Sequence, residues 1–522
     1  MNLPATRDGA AKAPTSFSTI GAVEGHLALD HPELMLRFRE TLDEAGFKAD
    51  RIGEALGAHS EVLSRSWDIP VQLRRLEGRG GLAALIRLFV LNLDVPEDEV
   101  ATAIAPMGVT DLTRLGVASA DGGVVRPSVR IVPHDELLIT SDVRLRAGEK
   151  APPDHVPGVH RPSVTLAYLT VRPDARSLLD LGTGCGVVAL VAAPHADRVL
   201  GTDISPRALR FAAFNAQLNG VRNLELRLGS WFDPVRDERF DVIVCNPPYV
   251  ISPATEYIYR DSGLPGDSVS EQVVRSIPAH LKEGGFATVA ISWIADPDGD
   301  PAARVRRWVE GSGCDAWLLH YRTDEPLETA AGWNQTEAGD PIRYAELIDG
   351  WMSYYRKLGI RGIAYGSVVL RRRAAGPNWF RIEALPPGGV RPASDHVQRI
   401  FAAHDFLARI GEAGLLEAIL VPAASMRLEQ QVRFEAARPR VHEMAVTLDD
   451  GLPFRAGIEP RAVLLLSKLD GRRPLRLALV DAALAEGAAG DDTERFVQAG
   501  LPVARRMFEL GLLTLADGVQ AS

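Results

Sequence analysis

In Asp241-Val242-Ile243-Val244-Cys245-Asn246-Pro247-Pro248-Tyr249 a strand runs directly into a polar, prolyl turn. The apolar residues after the acid are rich in Val and Ile and too few for a helix, the pattern of a strand buried in a parallel sheet. The two prolines end it, because neither can donate to a ladder. Asn246, a stiff Pro-Pro turn and Tyr249 are therefore held at the carboxyl end of a strand, where open α/β sheets bind ligands. Asn246 offers a side-chain carbonyl, the Asn–Pro link offers backbone carbonyls with no competing N–H, and Tyr249 offers a flat face. Such a set grips a planar group carrying an NH2.

On either side of this run the pattern alternates strand and helix, which predicts a doubly wound parallel sheet. Strands are expected at Ser177–Leu181, Arg198–Thr202, Leu224–Leu228, Asp241–Cys245, Phe286–Trp293, Ala316–Tyr321 and Ile363–Leu370. Helices are expected at Val187–Ala193, Pro206–Leu218, Ser268–Leu281, Ala302–Glu310 and Tyr344–Leu358. The helix from Pro206 is well punctuated, with Ser205 as its N-cap and Gly220 as its stop.

The turn after the first strand reads Asp180-Leu181-Gly182-Thr183-Gly184-Cys185-Gly186. Alternate glycines let a backbone pass close under a ligand at the start of a helix. The spacing is not that of a dinucleotide fingerprint, which has two residues before its third glycine. Asp180 stands just before the turn, where it can hold a cationic amine. The next strand ends in Asp203, and 203 − 182 places it 21 positions past the first glycine. That suits a carboxylate accepting the hydroxyls of a ribose. After the third strand, Gly229-Ser230-Trp231-Phe232 can flank an adenine, with Trp231 stacking on it. An ammonium, a ribose and a purine in this order describe S-adenosyl-L-methionine. The candidate cofactor-binding residues are Asp180, Gly182, Thr183, Gly184, Gly186, Asp203, Ile204, Ser230, Trp231 and Asn246; the candidate catalytic residues are Asn246, Pro247 and Tyr249.

These motifs carry a family resemblance. Residues from about His155 to Arg373 resemble a class I S-adenosylmethionine-dependent methyltransferase, and within that superfamily the amino-methyltransferases with an Asn-Pro-Pro-Tyr signature. They look most like the HemK type, which methylates a glutamine side-chain amide in peptide-release factors; adenine-N6 methyltransferases share the signature. The resemblance implies a Rossmann-like, seven-stranded core in which Asp180, Gly182, Gly184 and Asp203 bind cofactor. It also implies that Asn246, Pro247 and Tyr249 face the substrate nitrogen. Ser230 departs from the pattern, standing where many relatives place an acid for the adenine amine.

At 522 residues the chain is too long for one core and divides into domains of about 150 residues. The expected division is a disordered tail over 1–20, an N-terminal helical, winged-helix-like domain over 21–146, the methyltransferase domain over 147–375 and a C-terminal α+β, winged-helix-like domain over 376–522. The N-terminal part shows helices from Asp30-His31-Pro32 onward and a hairpin behind Asp121-Gly122-Gly123. The C-terminal part shows two extended runs, Glu429–Ala436 and Arg440–Asp449, before three helices. A net charge of −10 argues against a broad nucleic-acid surface. Three cysteines, Cys185, Cys245 and Cys314, make no disulfide framework, which suits a cytoplasmic protein. No metal spacing and no membrane-spanning run is found, and His160 receives no ligand role. The loop Tyr257–Asp267 reads either as a cover over the substrate or as ordinary surface. Arg371-Arg372-Arg373 reads either as a phosphate track or as a solvated face.

The expected function is an S-adenosylmethionine-dependent N-methyltransferase acting on a planar-conjugated NH2 of a macromolecule, a protein glutamine amide or a nucleic-acid adenine. Two alternatives stay open: an N-methyltransferase of a small metabolite, and a nucleic-acid-binding regulator whose core senses cofactor. The sequence does not decide the acceptor, the pathway, the role of the flanks or whether the chain forms a homo-oligomer.

Overall fold

The alternation that begins at Ala175 folds into one sheet of eight strands. In the computed structural model, which describes residues 26–57, 68–145, 149–173, 175–385, 389–435 and 438–516, these are β1 (Ala175–Leu181), β2 (Ala196–Asp203), β3 (Leu224–Leu228), β4 (Phe240–Cys245), β5 (Leu281–Ala295), β6 (Cys314–Asp324), β7 (Gly362–Arg372) and β8 (Phe380–Ala384). The expected tail over 1–20 lies outside the described residues. Their order across the sheet is β8-β6-β7-β5-β4-β1-β2-β3. The strands from β3 to β5 run parallel, while β7 lies antiparallel to both β5 and β6. Ahead of β1 comes α1 (Arg161–Leu169), and between the strands come α2 (Val187–Ala192), α3 (Pro206–Leu218), α4 (Ser268–His280), α5 (Ala303–Val309), α6 (Pro326–Trp333) and α7 (Pro341–Lys357). Helices on both faces explain the unbroken apolar run of β4, whose Val242, Ile243, Val244 and Cys245 are at most 1% exposed. At α3 the Ser205 hydroxyl accepts from the Ala208 N–H at 3.2 Å, as its position before Pro206 leads one to expect.

Two elements differ from expectation. The seven-stranded reading is one strand short, because β8 pairs in parallel with β6 beyond the Ala374-Ala375-Gly376-Pro377 break. Its residues are neither fully buried nor alternating, so neither strand periodicity marks them. The helix α6 lies in a stretch the pattern left unassigned.

The N-terminal segment is helical at Pro32–Glu44, Ala49–Leu56, Ile69–Leu76, Gly80–Leu85, Glu97–Ile104 and Val109–Leu115. Two hairpins follow where one was expected: Ala118–Asp121 with Val124–Pro127, and Arg130–His134 with Leu137–Ser141. The second hairpin docks on α3 through two asparagines four residues apart. Asn215 Oδ1 accepts from the Thr140 N–H and its Nδ2 donates to the Thr140 carbonyl, both at 2.8 Å. Asn219 does the same with Leu138, again at 2.8 Å in both directions. The geometry is a spacing match: four residues of helix rise about 6 Å, and two residues of strand about 6.6 Å. The helix thus takes the place of a neighbouring strand. Asn215 has a third bond, from Nδ2 to the Cys185 carbonyl at 2.8 Å, so one fully buried amide ties the hairpin to the glycine turn after β1.

The chain divides into two compact units, one reaching to Ala167 and resuming from Arg172 to Ala384, the other made of Tyr168–Val171 and the chain from Leu385 onward. The N-terminal segment and the eight-stranded sheet therefore belong to the same unit. In the second unit a long helix, Ser394–Glu417, breaks at Gly411, and the strand Leu420–Pro422 pairs with Leu513–Leu515. A long antiparallel arm, Met426–Glu435 with Arg438–Leu448, precedes the helices Pro460–Leu466, Leu475–Ala485 and Asp491–Glu509. The hairpin comes ahead of these helices, and the strand Leu513–Leu515 follows them.

Asn215→Ala leaves the Thr140 N–H, the Thr140 carbonyl and the Cys185 carbonyl unpaired in a buried site, and is expected to destabilise the first unit by about 3 kcal/mol. Asn219→Ala, at a half-buried position, is expected to cost about 1 kcal/mol. Urea unfolding of the two variants checks the ranking.

Candidate active site

β1 and β4 are neighbours, with Leu181 opposite Cys245, so Gly182 and Asn246 each begin the turn at the tip of one of two adjoining strands. The chain order reverses here: β2 and β3 lie on one side of β1, β4 and β5 on the other. Such a switch point opens a crevice at the carboxyl ends of the strands. The crevice is a cleft of about 380 Å3, within the range of small-molecule sites, and Asp180, Gly182, Asp203, Trp231 and Asn246 all line it. A shared cleft between Asp203 and Asn246 is what the two-ligand reading requires.

Gly182 (φ 75°) and Gly184 (φ 56°) have left-handed backbones, and a Cβ on either would meet no atom within 4 Å. The turn is thus a bare floor under open space. Gly186 serves differently. It does not line the cleft, and a Cβ there would stand 3.1 Å from the Ala212 Cβ, so it lets the turn pack against α3.

The two carboxylates are held by the glycine turn and by the N-terminal ends of the helices that follow β1 and β2. Asp180 Oδ2 accepts from the Thr183 hydroxyl at 2.8 Å and the Ala189 N–H at 3.0 Å. Asp203 accepts from the Gly184 N–H at 2.9 Å and the Ser205 N–H at 2.8 Å, one on each oxygen. Burial raises the pKa of both carboxyls against these bonds, and pushes Asp180 up to about 6, with the nearby Asp203 charge adding to the shift. Ile204 and Ser230 also line the cleft, and Ile204 is 56% exposed at its mouth.

Trp231 lines the cleft on a left-handed backbone (φ 48°), a strained choice for so bulky a residue and one that clusters at functional sites. Phe232 turns away, stacked on His280 with ring centroids 4.2 Å apart and planes 5° apart, so it does not flank a ligand in the cleft. Asn246 Oδ1 is buried and has no hydrogen-bond partner among the described residues. The Pro247 carbonyl accepts from the Tyr249 N–H at 2.7 Å, which closes the prolyl turn and leaves a second lone pair. Tyr249 does not line the cleft; its side chain packs with the group that includes Val250, Ile251 and Tyr365.

The segment after the signature is a built structure, anchored on Asp261. This carboxylate accepts from the Ser252 hydroxyl at 2.7 Å, from the N–H groups of Glu256 and Tyr257 at 3.2 Å, and from Arg260 at 2.9 and 3.0 Å. Burial opposes its charge, but the Arg260 and Ser252 bonds outweigh that and hold the carboxyl below its ordinary value. Arg260 in turn lies 4.7 Å over the Tyr257 ring. Tyr259 and Asp261 therefore reach the cleft wall, and so do His155 and His160 from the segment before α1. The sequence reading passed over His155 and gave His160 no ligand role. Burial lowers the pKa of both imidazoles, and His160 Nδ1 sits 2.8 Å from the Gly158 carbonyl. An isolated histidine carries no spacing signal, which is why these were not found. The Arg371-Arg372-Arg373 run is no phosphate track: Arg371 and Arg373 pair with buried Asp315 at 2.6 and 2.9 Å, and Arg372 donates to the Ser312 carbonyl at 2.7 Å.

Parts of the chain are similar to known methyltransferases. The methyltransferase small domain family matches residues 163–291, and a domain of unknown function, DUF7059, matches residues 44–128. The release factor glutamine methyltransferase of Aliivibrio fischeri is 46% identical over 90 residues, covering 17% of this chain and 31% of that protein. A ribosomal protein uL3 glutamine methyltransferase of Bradyrhizobium diazoefficiens is 36% identical over 121 residues, 21% of this chain and 38% of that protein. A Methanocaldococcus jannaschii protein, provisionally named a protein N5-glutamine methyltransferase, is 31% identical over 143 residues, 26% of this chain and 72% of that protein. The chain spans less than half the length of the first two. S-adenosyl-L-methionine is the methyl donor of these enzymes, and the glycine floor and buried carboxylates fit it.

In the empty cleft Asp180 takes up a proton as the pH falls through about 6, while the donor's ammonium keeps its charge across that range. Affinity for S-adenosylmethionine is therefore expected to be level above about pH 7 and roughly tenfold weaker by about pH 5. Calorimetric titration across that range reads it, and a flat profile would remove Asp180 as the ammonium's partner.

Proposed function

We propose a function from one premise: the chain belongs to the protein N5-glutamine methyltransferase family, the HemK type of class I methyltransferase. The reading is S-adenosylmethionine-dependent transfer of a methyl group to the side-chain amide nitrogen of a glutamine in a protein. The observation that carries it is the buried, unpartnered Asn246 Oδ1 at the tip of β4. A carbonyl oxygen left so costs about 1–3 kcal/mol, a penalty that an incoming N–H removes.

The nitrogen of an amide is a poor nucleophile because its lone pair is delocalised into the carbonyl. Asn246 Oδ1 accepts one of its hydrogens, and the second lone pair of the Pro247 carbonyl is offered to the other. Both acceptors favour a nitrogen drawn toward tetrahedral geometry, with its lone pair freed and aimed. These bonds strengthen as positive charge develops on nitrogen, so they act on the transition state more than on the bound substrate. When bound, S-adenosylmethionine supplies the electrophilic methyl on its sulfonium. The backbone of Gly182 and Gly184, with Asp180 and Asp203, orients the donor, and Trp231 is assigned to its purine. No general base needs to act before attack, because the proton is acidic once nitrogen has four bonds. Tyr249 acts through the turn: its N–H fixes the Pro247 carbonyl, and its own carbonyl accepts from the Ser292 hydroxyl.

The family names make peptide-release factors and ribosomal proteins the first acceptors to try. With methyl-labelled donor and a purified acceptor, label is expected on a glutamine and to resist nuclease. Asn246→Ala is expected to lower transfer at least about a hundredfold while leaving donor affinity within about threefold. A folded, donor-binding Asn246→Ala protein with near-normal transfer overturns the reading; label carried by nucleic acid or by small molecules replaces the acceptor.

A further inference from the structure

The long arm of the second unit has two faces. In its ladder Val432 lies opposite Val441, Arg433 opposite Arg440, Phe434 opposite Pro439 and Glu435 opposite Arg438. Paired residues of an antiparallel ladder share a face, and successive residues alternate. The outer half is therefore apolar on one side, through Val432, Phe434, Pro439 and Val441. On the other it is cationic, with Arg433, Arg438 and Arg440 against a single Glu435.

Neither face is explained by the fold. At the root of the arm Val446 and Leu448 are buried in the core of the second unit, at 1% and 8% exposure. Farther out Phe434 is 77% exposed, and Val432 and Val441 are each 49% exposed. On the cationic face two arginines stand directly opposite each other, an arrangement that destabilises a ladder. Arg440 reaches Glu435 at 3.5 Å, but both are largely exposed and such a pair is worth little. Arg433 and Arg438 have no ion-pair partner among the described residues.

We propose that this arm docks single-stranded RNA, with Arg433, Arg438 and Arg440 on phosphates and Phe434 stacked on a base. A ribbon with opposite cationic and apolar faces suits a partner that wraps it and offers anions and flat apolar surfaces together. A nucleic-acid strand has both along its length. Duplex hides its base faces, and unpaired stretches are the ordinary condition of RNA, where recognition proceeds by stacking on aromatic side chains. The net charge of −10 repels a polyanion from the rest of the surface, which confines binding to the arm and makes it sensitive to salt.

Fluorescence anisotropy of the full chain with a labelled, unstructured RNA about 20 nucleotides long tests this, with salt as the variable. The wild type is expected to bind with a steep salt dependence. The triple variant Arg433→Gln, Arg438→Gln, Arg440→Gln is expected to flatten the slope of log affinity against log salt by about 2. Phe434→Ala is expected to weaken binding about tenfold with the slope unchanged. Both variants should keep the wild-type far-ultraviolet dichroism and thermal unfolding profile, which checks folding, and Asn246→Ala should bind RNA normally, which separates this proposal from the methyl-transfer reading. Three results each overturn it: no binding by the wild type, binding untouched by both variants, or wild-type capture by vesicles of phosphatidylcholine and phosphatidylglycerol without RNA binding.

Discussion

Leu181 and Cys245 lie side by side because β1 and β4 pair in parallel with no strand between them. Each strand then ends in a turn its own sequence dictates, glycines after β1 and prolines after β4. Glycine lowers the floor so that a donor can lie close to the backbone. Proline removes N–H groups so that the turn presents acceptors. Had another strand come between the two, the same turns would serve two unrelated pockets. The chemistry rests on this register more than on any single side chain.

Around that pairing the site is assembled from groups that oppose one another. Two carboxylates are buried near the tips of β1 and β2, where the charge of Asp203 disfavours that of Asp180, and the N–H groups of Gly184, Ala189 and Ser205 hold them in place. Asn246 keeps an oxygen out of water without a partner, and Trp231 holds a backbone its side chain disfavours. Each is a local cost set beside central strands, β1 and β4, that are mostly buried, and a rigid frame of that kind can sustain such costs. By contrast the segment after the prolyl turn relies on one buried acid, Asp261, with five donors, since it has no sheet to lean on apart from the bridge between Tyr249 and Asp261.

The parts read correctly from sequence are those where local pattern and buried environment coincide. The seven strands assigned from sequence are apolar runs or alternate, and the helix from Pro206 is amphipathic and capped, so local pattern finds them. The glycine turn was legible because its left-handed backbone at the tip of β1 demands that residue type. β8 was missed because half-buried residues at a sheet edge carry no period. Phe232 was misassigned because an aromatic beside a turn has no sign of which way it faces; His280, distant in sequence, takes it up. The arginine run was equally silent, since Asp315 reaches it only after β6 and β7 pair. Gly186 and Tyr249 sit within correct motifs yet act on their neighbours, through the packing of α3 and the closure of the prolyl turn.

The asparagine pair on α3 has a bearing on self-adhesion. A strand's outer rim presents unpaired N–H and C=O groups that invite a foreign backbone, and proteins blunt such rims to avoid fibres. Along Leu137–Ser141 the outward groups of Leu138 and Thr140 are already satisfied by the amides of Asn219 and Asn215. No passing strand can be recruited there without first breaking bonds the molecule makes with itself.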